Sequence, residues 1–197
     1  MKRMHRLAAA LFALSVAACA STPPVLVALP SPPRPLTARQ LDQNSRATLI
    51  VRPVMLPGYL NSHAVVIERK ANALIVSGEA EWAERLRDAV TRVLRDTLSQ
   101  HLGPSRVLLR GEHRVADAEL VIEFLKLDPS DGVLELDARW TFVCTGRKRP
   151  AHAGRTELQI PLESATAQAV AVATVNGLVS FAGVLASQTW CGSNGEH

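Results

Sequence analysis

Aromatic side chains are scarce in this chain. They make up 4% of its 197 residues: four Phe, three Trp and a single Tyr, Tyr59. Hydrophobic residues are 47%, so a sizeable core is available, built mainly from Leu, Val and Ala. Enzyme signatures are missing. The chain contains no G-x-S-x-G, H-E-x-x-H, C-x-x-C, Walker loop or G-x-G-x-x-G. Beyond the N-terminal segment, the histidines are His63, His101, His113, His152 and His197, none at metal-ligand spacing to another. No catalytic, cofactor or metal site is expected. Charge is missing from one long run, because nothing between Glu163 and Glu196 is acidic or basic. A strongly basic surface is lacking too, although the sequence pI is 9.3. Lys2, Arg3 and Arg6 belong to a segment expected to be removed. Taking those three from the 22 Lys and Arg leaves 19 against 18 Asp and Glu. That near-balance argues against a nucleic-acid-binding domain.

What is present begins with "MKRMHRLAAALFALSVAAC". A positive start and an apolar stretch from Leu7 to Ala18 make a secretory signal, too short to span a bilayer as a helix. Its end, Val16-Ala17-Ala18-Cys19, resembles the bacterial lipobox. Cys19 is then the new N-terminus, carrying acyl chains such as palmitate. More than one chain gives stable anchoring, at about 0.8 kcal/mol per buried methylene. Ala20 follows, where an aspartate commonly signals inner-membrane retention. The resemblance thus favours the outer membrane and its periplasmic face. Cys144 and Cys191 remain, and an oxidising compartment lets them pair or leaves Cys191 as a free thiol in its Gly/Ser/Asn-rich tail.

Residues 19–46 read as a Pro-rich tether with a short edge strand near 25–29. The globular domain is expected over 47–188, with 189–197 a flexible tail. Strands are expected over Thr48–Met55, Ala64–Lys70 and Ala73–Ser77. A helix follows over Glu79–Leu102, capped by Ser77, with Glu79, Glu81 and Glu84 at its positive end. Ala83, Leu86, Val90, Val93, Leu94 and Thr97 form its apolar stripe, with Trp82 at the edge. Glu81, Arg85, Asp88, Arg92 and Asp96 form its wet face, paired at i,i+4. Then come a short strand at Val107–Leu109 and three strands of a meander. Glu119–Leu127 leads through the turn "DPSDG" to Val133–Cys144, which alternates in strict period two. "TGRKRP" turns back into Thr156–Leu162. This is an α/β single domain: a mixed, mostly antiparallel sheet with two long helices packed on it.

The second helix spans Ser164–Gln188. Ala171, Thr174, Val175, Leu178, Phe181, Ala182 and Leu185 form its large apolar stripe. Ala169, Ala173, Asn176, Ser180, Gly183 and Ser187 form a face of small residues. Three readings stand open: a transmembrane helix with a small-residue seam, a helix buried on the sheet, and an uncharged face meeting another subunit. A solvated face normally carries charge, which favours the third.

Potential chemistry has bland counterparts. A Cys144/His152 nucleophile pair can be imagined across a hairpin turn, but Cys144 lies on the apolar side of its strand, as a structural cysteine does. Glu123, Glu135 and Asp137 alternate with apolar residues and have Arg139 nearby, as on a solvated strand face. Arg147, Lys148 and Arg149 make a basic turn.

"PVMLPGYLN", "NALIVS", "EWAERL" and "DARWTF" together resemble the PqiC-type (YmbA-like) auxiliary lipoproteins of ABC-type transport systems. The matching residues are Pro57-Gly58-Tyr59-Leu60, Asn72 to Ser77, Trp82 to Leu86 and Ala138 to Trp140. The likeness runs from about Val25 to Gln188. There are departures. Relatives have a tyrosine in the first strand, where this chain has Val25-Leu26-Val27. Relatives also tend to have Ile-Val-Thr-Arg after the Tyr-Leu turn. Here Val66-Ile67-Glu68-Arg69 brings the arginine one position late. The resemblance implies a non-enzymatic outer-membrane subunit of a system with MCE-domain tunnel proteins, moving phospholipid or other apolar compounds across the periplasm. It also implies a homo-oligomeric ring. Expected interface residues are Pro57, Gly58, Tyr59, Leu60, Trp82, Asn176, Ser180 and Gly183. Tyr59 is expected to anchor its loop against Trp82 or a neighbouring subunit, or to plug its own fold.

Overall fold

The computed structural model describes residues 22–33, 47–108, 115–145 and 150–188. Two sheets and two helices share one core. Strands β1 (Val25–Val27), β3 (Ala64–Lys70) and β4 (Ala73–Trp82) form a three-stranded sheet in the order β1-β4-β3. Strands β2 (Leu49–Val51), β5 (Val107–Leu108), β6 (Ala118–Ser130), β7 (Val133–Cys144) and β8 (Pro150–Pro161) form a five-stranded sheet in the order β5-β2-β6-β7-β8. Helix α1 (Leu86–Leu102) and helix α2 (Ala167–Ala186) pack on one another, and α2 also touches both sheets. The α/β class and the mostly antiparallel pairing follow from the sequence as expected.

The core extends upstream of Ala47. Val27 and Leu29 are buried in it, and β1 pairs in parallel with Ala80–Trp82 of β4. That pairing explains the main difference from the expected elements. The stretch 79–85 is not the start of α1. β4 continues to Trp82, so Glu79 and Glu81 stand on a strand, and Ala83 is exposed. Tertiary pairing overrides the local helix preference there. Ser77 does not cap α1. Its Oγ accepts from the backbone N–H of Glu79 and Ala80 inside an irregular stretch of β4. The α1 stripe is otherwise as expected, with Leu86, Val90, Val93, Leu94 and Thr97 buried. The regular i,i+4 pairing is not what forms on its wet face. Arg92 reaches back to Glu84 at 2.6 Å, and Arg95 pairs with Asp96 at 3.0 Å.

The expected strand Thr48–Met55 is shorter because Pro53 has no N–H to donate. Pairing resumes only as a bridge between Met55 and Glu123. In the β6–β7 hairpin the turn is just Asp131-Gly132, both at positive φ (50° and 78°), the two-residue geometry that fits strand twist. Asp128, Pro129 and Ser130, expected in the turn, stay in β6. Pro129 is tolerated because β2 pairs only with Ala118–Leu120, leaving the far end of β6 free on that side.

Helix α2 starts on a Thr166 cap, whose side chain accepts from the Ala169 N–H at 3.3 Å. It is long and apolar enough to cross a membrane, but its large stripe is buried within this domain. Phe181 meets Phe124 edge to face at 5.9 Å between centroids. Gly177 lets the helix come close to the sheet: a Cβ there would lie 2.9 Å from Ile160 Cδ1.

Candidate functional site

Tyr59 sits on a short 3₁₀ turn, Gly58–Asn61, which Pro57 starts and the Leu60 side chain pins into the core. The turn closes with Leu60 N–H donating to Pro57 O at 2.9 Å. This projects the Tyr59 hydroxyl onto Asp128, to which it donates a short hydrogen bond. Arg69, on β3, donates to the same oxygen, Oδ2, from Nε at 3.0 Å and from its terminal nitrogen at 2.6 Å. Its guanidinium also stacks 4.9 Å from the Tyr59 ring centroid. Asp128 is fully buried, and its other oxygen, Oδ1, has no hydrogen-bond partner among the described residues.

Two bulges build this cluster. In β3, one extra residue at Ile67 is absorbed between the pairs Val66–Val76 and Glu68–Ile75, just before Arg69. In β6, one extra residue at Leu125 is absorbed between Phe124–Ala138 and Lys126–Asp137. The alternation therefore changes phase. Leu127 and Pro129 now oppose Leu136 and Leu134, both buried, while Asp128 opposes Glu135. Bulges re-aim side chains in this way. The result is a buried carboxylate held by a cation and a phenol, joining the three-stranded sheet to the five-stranded one.

The cluster shifts its own proton equilibria. Burial, then the hydrogen bond to Asp128, pushes the Tyr59 phenol up to about 12. The bond to Asp128 holds Arg69 further into its charged form. Beside it, Lys126 bonds Glu135 at 2.6 Å and is raised mainly by that bond. Arg155 grips Asp137 with two bonds of 2.8 and 2.7 Å, which hold that carboxyl below its ordinary value. These pairs are structural chemistry: every carboxylate expected as a possible acid or base has a cation near it. Glu123 stands opposite Arg139, Glu135 beside Lys126 and Asp137 beside Arg155.

The other expected residues fall in separate places. Trp82 ends β4, where its N–H donates to His63 O at 2.7 Å and its carbonyl meets His63 Nδ1 at 3.1 Å. Tyr59 is thus anchored on Asp128 and Arg69, which the sequence reading did not pair with it. On α2, Gln168, Val172, Asn176 and Ser180 are exposed and Gly183 is half-buried. That whole outward face is without charge. Ala173, expected there, is buried instead. Cys144 is buried and disulfide-bonded, so it is no free nucleophile beside His152. His152 instead tilts against Trp140 and meets Gln188 Oε1 at 3.0 Å. Among the described residues no group of His, Cys, Asp and Glu is suited to a metal ion. Cys19, Cys191 and the basic turn Arg147–Arg149 lie outside the described residues.

The family model for the ABC-type transport auxiliary lipoprotein component matches residues 28–186. The chain belongs to that family. Its members are auxiliary components, not catalysts, and this auxiliary lipoprotein is not an enzyme. No curated protein is significantly similar to it. Among the solved structures similar to it, two crystal structures share its fold over most of the chain. One, of an uncharacterised protein, is 16% identical, with a TM-score of 0.67, over 84% of this chain and 97% of the other. The second, of a Xanthomonas campestris protein, is 16% identical, with a TM-score of 0.57, over 83% and 91%. The tyrosine turn and the Trp-Ala and Ala-Arg-Trp segments lie inside the matched range. The Arg69–Asp128 pair was not legible beforehand. Its only sequence signal is an acidic residue in a run that otherwise reads as a turn.

Proposed function

We propose that this auxiliary lipoprotein is a non-enzymatic, lipid-anchored subunit that docks an MCE-type intermembrane transport system at the outer membrane. Cargo would be phospholipid or another hydrophobic compound. The observation that carries the reading is the outward face of α2. Gln168, Val172, Asn176 and Ser180 are exposed with no charge among them, whereas a helix face meant for water carries charge. Such a face fits a second copy of the chain in a homo-oligomeric ring, with the tunnel protein as the further partner. Membership of a transport-auxiliary family supports the docking role, and the Val-Ala-Ala-Cys19 lipobox supports the anchor. Cys191 is the proposed partner of Cys144. Gln188 touches His152, His152 pairs with Phe142, and Cys191 is three residues beyond Gln188.

A leaner reading is a structural outer-membrane lipoprotein that supports envelope assembly without a transporter. The fold and the family membership fit it with fewer assumptions, because an anchor and an uncharged face need no tunnel protein. Affinity purification of the tagged, acylated protein from native membranes, followed by mass spectrometry, separates the two. Strong enrichment of an MCE-domain protein supports docking. Recovery alone, or with outer-membrane assembly factors, replaces it with the leaner reading.

A further inference from the structure

The large hydrophobic side chains left exposed are unevenly spread. Among the described residues they are Val25, Leu26, Met55, Ile75, Val76, Val115 and Val172. Four of these seven stand on β1 and β4. Val25 and Leu26 are the more open pair, 55% and 65% exposed, and among the described residues β1 is an edge strand of its sheet. A soluble domain usually blunts such an edge with charge or proline. β1 carries neither within its three residues.

The chain itself indicates what covers this edge. Only six residue steps separate Cys19 from Val25. At about 3.3–3.6 Å per step, fully extended, the acyl-bearing residue lies at most about 22 Å from β1. A domain of about 150 residues has a radius of gyration of roughly 15 Å, so its full width exceeds that reach. Because β1 is built into the sheet and Val27 into the core, no long tether intervenes. The anchor thus draws the β1 edge, more than any other part of the fold, down to the bilayer.

We propose that β1 rests on the lipid surface that holds the anchor, with Val25 and Leu26 entering the headgroup layer. This rests on the lipid-anchor part of the proposed function and not on the transport partner. The neighbouring β4 residues Glu79 and Glu81 are exposed and acidic. The contact is therefore apolar and made with zwitterionic phosphatidylethanolamine, not an electrostatic one with anionic lipid.

The test uses the full-length acylated protein in phosphatidylethanolamine-rich vesicles, with a photoreactive amino acid at position 26 or at position 131. Position 131 is the control, since Asp131 lies in the β6–β7 turn near Asp128 and Arg69. Arg69 is at the opposite end of the β3–β4 pair from β1. The expected result is a lipid adduct at 26 and none at 131. Crosslinks from 26 to a second copy overturn the proposal and make the edge a subunit contact. No adduct at 26, in protein that floats with the vesicles, overturns it while leaving the anchor intact. Protein that neither carries acyl chains nor floats overturns both.

Discussion

The two sheets turn different faces outward. The five-stranded sheet presents ion pairs: Lys126–Glu135, Arg155–Asp137 and Arg155–Glu157. The three-stranded sheet leaves Val25, Leu26, Ile75 and Val76 open. A charged ladder can stand in water indefinitely. Open valine and leucine at an edge call for a covering surface. The sheets are joined where neither rule holds, at a carboxylate on β6 buried under an arginine from β3. The difference teaches that ion pairs cover the outer face of the five-stranded sheet and fasten the two sheets together, whereas the three-stranded sheet leaves apolar side chains open beside Glu79 and Glu81.

Arg69→Ala breaks the fastening and has the largest expected effect. It leaves the Asp128 carboxyl group buried without its cation, with Tyr59 as its remaining donor. Removing one partner of a buried pair costs about 3–5 kcal/mol. Chemical denaturation of the soluble domain should show a loss of that size. Replacing Asp128 and Arg69 together with apolar residues should restore part of it, because the uncompensated charge disappears.

Tyr59→Phe tests the same joint more gently. It removes one hydrogen bond to a charged acceptor, worth about 1.5–3 kcal/mol. Tyr59 is the only tyrosine, so its titration is directly visible as phenolate absorbance. In the folded protein the midpoint should stand near pH 12, against 10.0 for a free phenol. The folded pKa is raised, so the folded state holds the proton more tightly. The associated stability is fully present below pH 10 and is lost as the pH rises through 12. A folded-state midpoint near 10 would show that Tyr59 does not reach Asp128.

Much of the fold was legible because it rests on local pattern. The bounds of β3 and β7 match the expected ones, since Ala64–Lys70 is flanked by turns and Val133–Cys144 alternates strictly. The stripes of both helices follow from period 3.6. The misread segment, 79–85, has helical composition but is claimed by β1 from over fifty residues away. The Asp128 cluster was hidden for a related reason. It depends on two bulges, and a bulge changes which face a residue takes without changing the residues themselves. Tyr59 stood out by rarity, but its partners are 10 and 69 residues away, and nothing local marks them.

Gly154→Ala tests how tightly the five-stranded sheet is packed under its ionic face. A Cβ at Gly154 would fall 2.4 Å from Trp140 Cζ2. Trp140 cannot easily yield, because its Nε1 donates to Thr156 Oγ1 at 3.0 Å and its ring meets Phe142 edge to face. Overpacking of this kind costs about 1–3 kcal/mol. Thermal unfolding should show a lowered midpoint, and the indole near-UV signal should change with it.

Arg155→Ala has the smallest expected effect and sharpens the contrast most. The pair with Asp137 is bidentate, with two bonds below 3 Å, yet the Arg155 side chain is 51% exposed. Water and salt screen it, so its loss should cost the least of the four changes. Asp137 is held below 3.8 chiefly by that bond. Its contribution is present above the ordinary aspartate range and is lost as the pH falls through the lowered value. The gap between the wild type and Arg155→Ala should therefore persist at neutral pH, close in acid, and shrink in high salt. The Arg69→Ala defect, centred on the fully buried Asp128, should change much less with salt. If the two variants respond to salt alike, the division between a screened outer face and a dry joint fails.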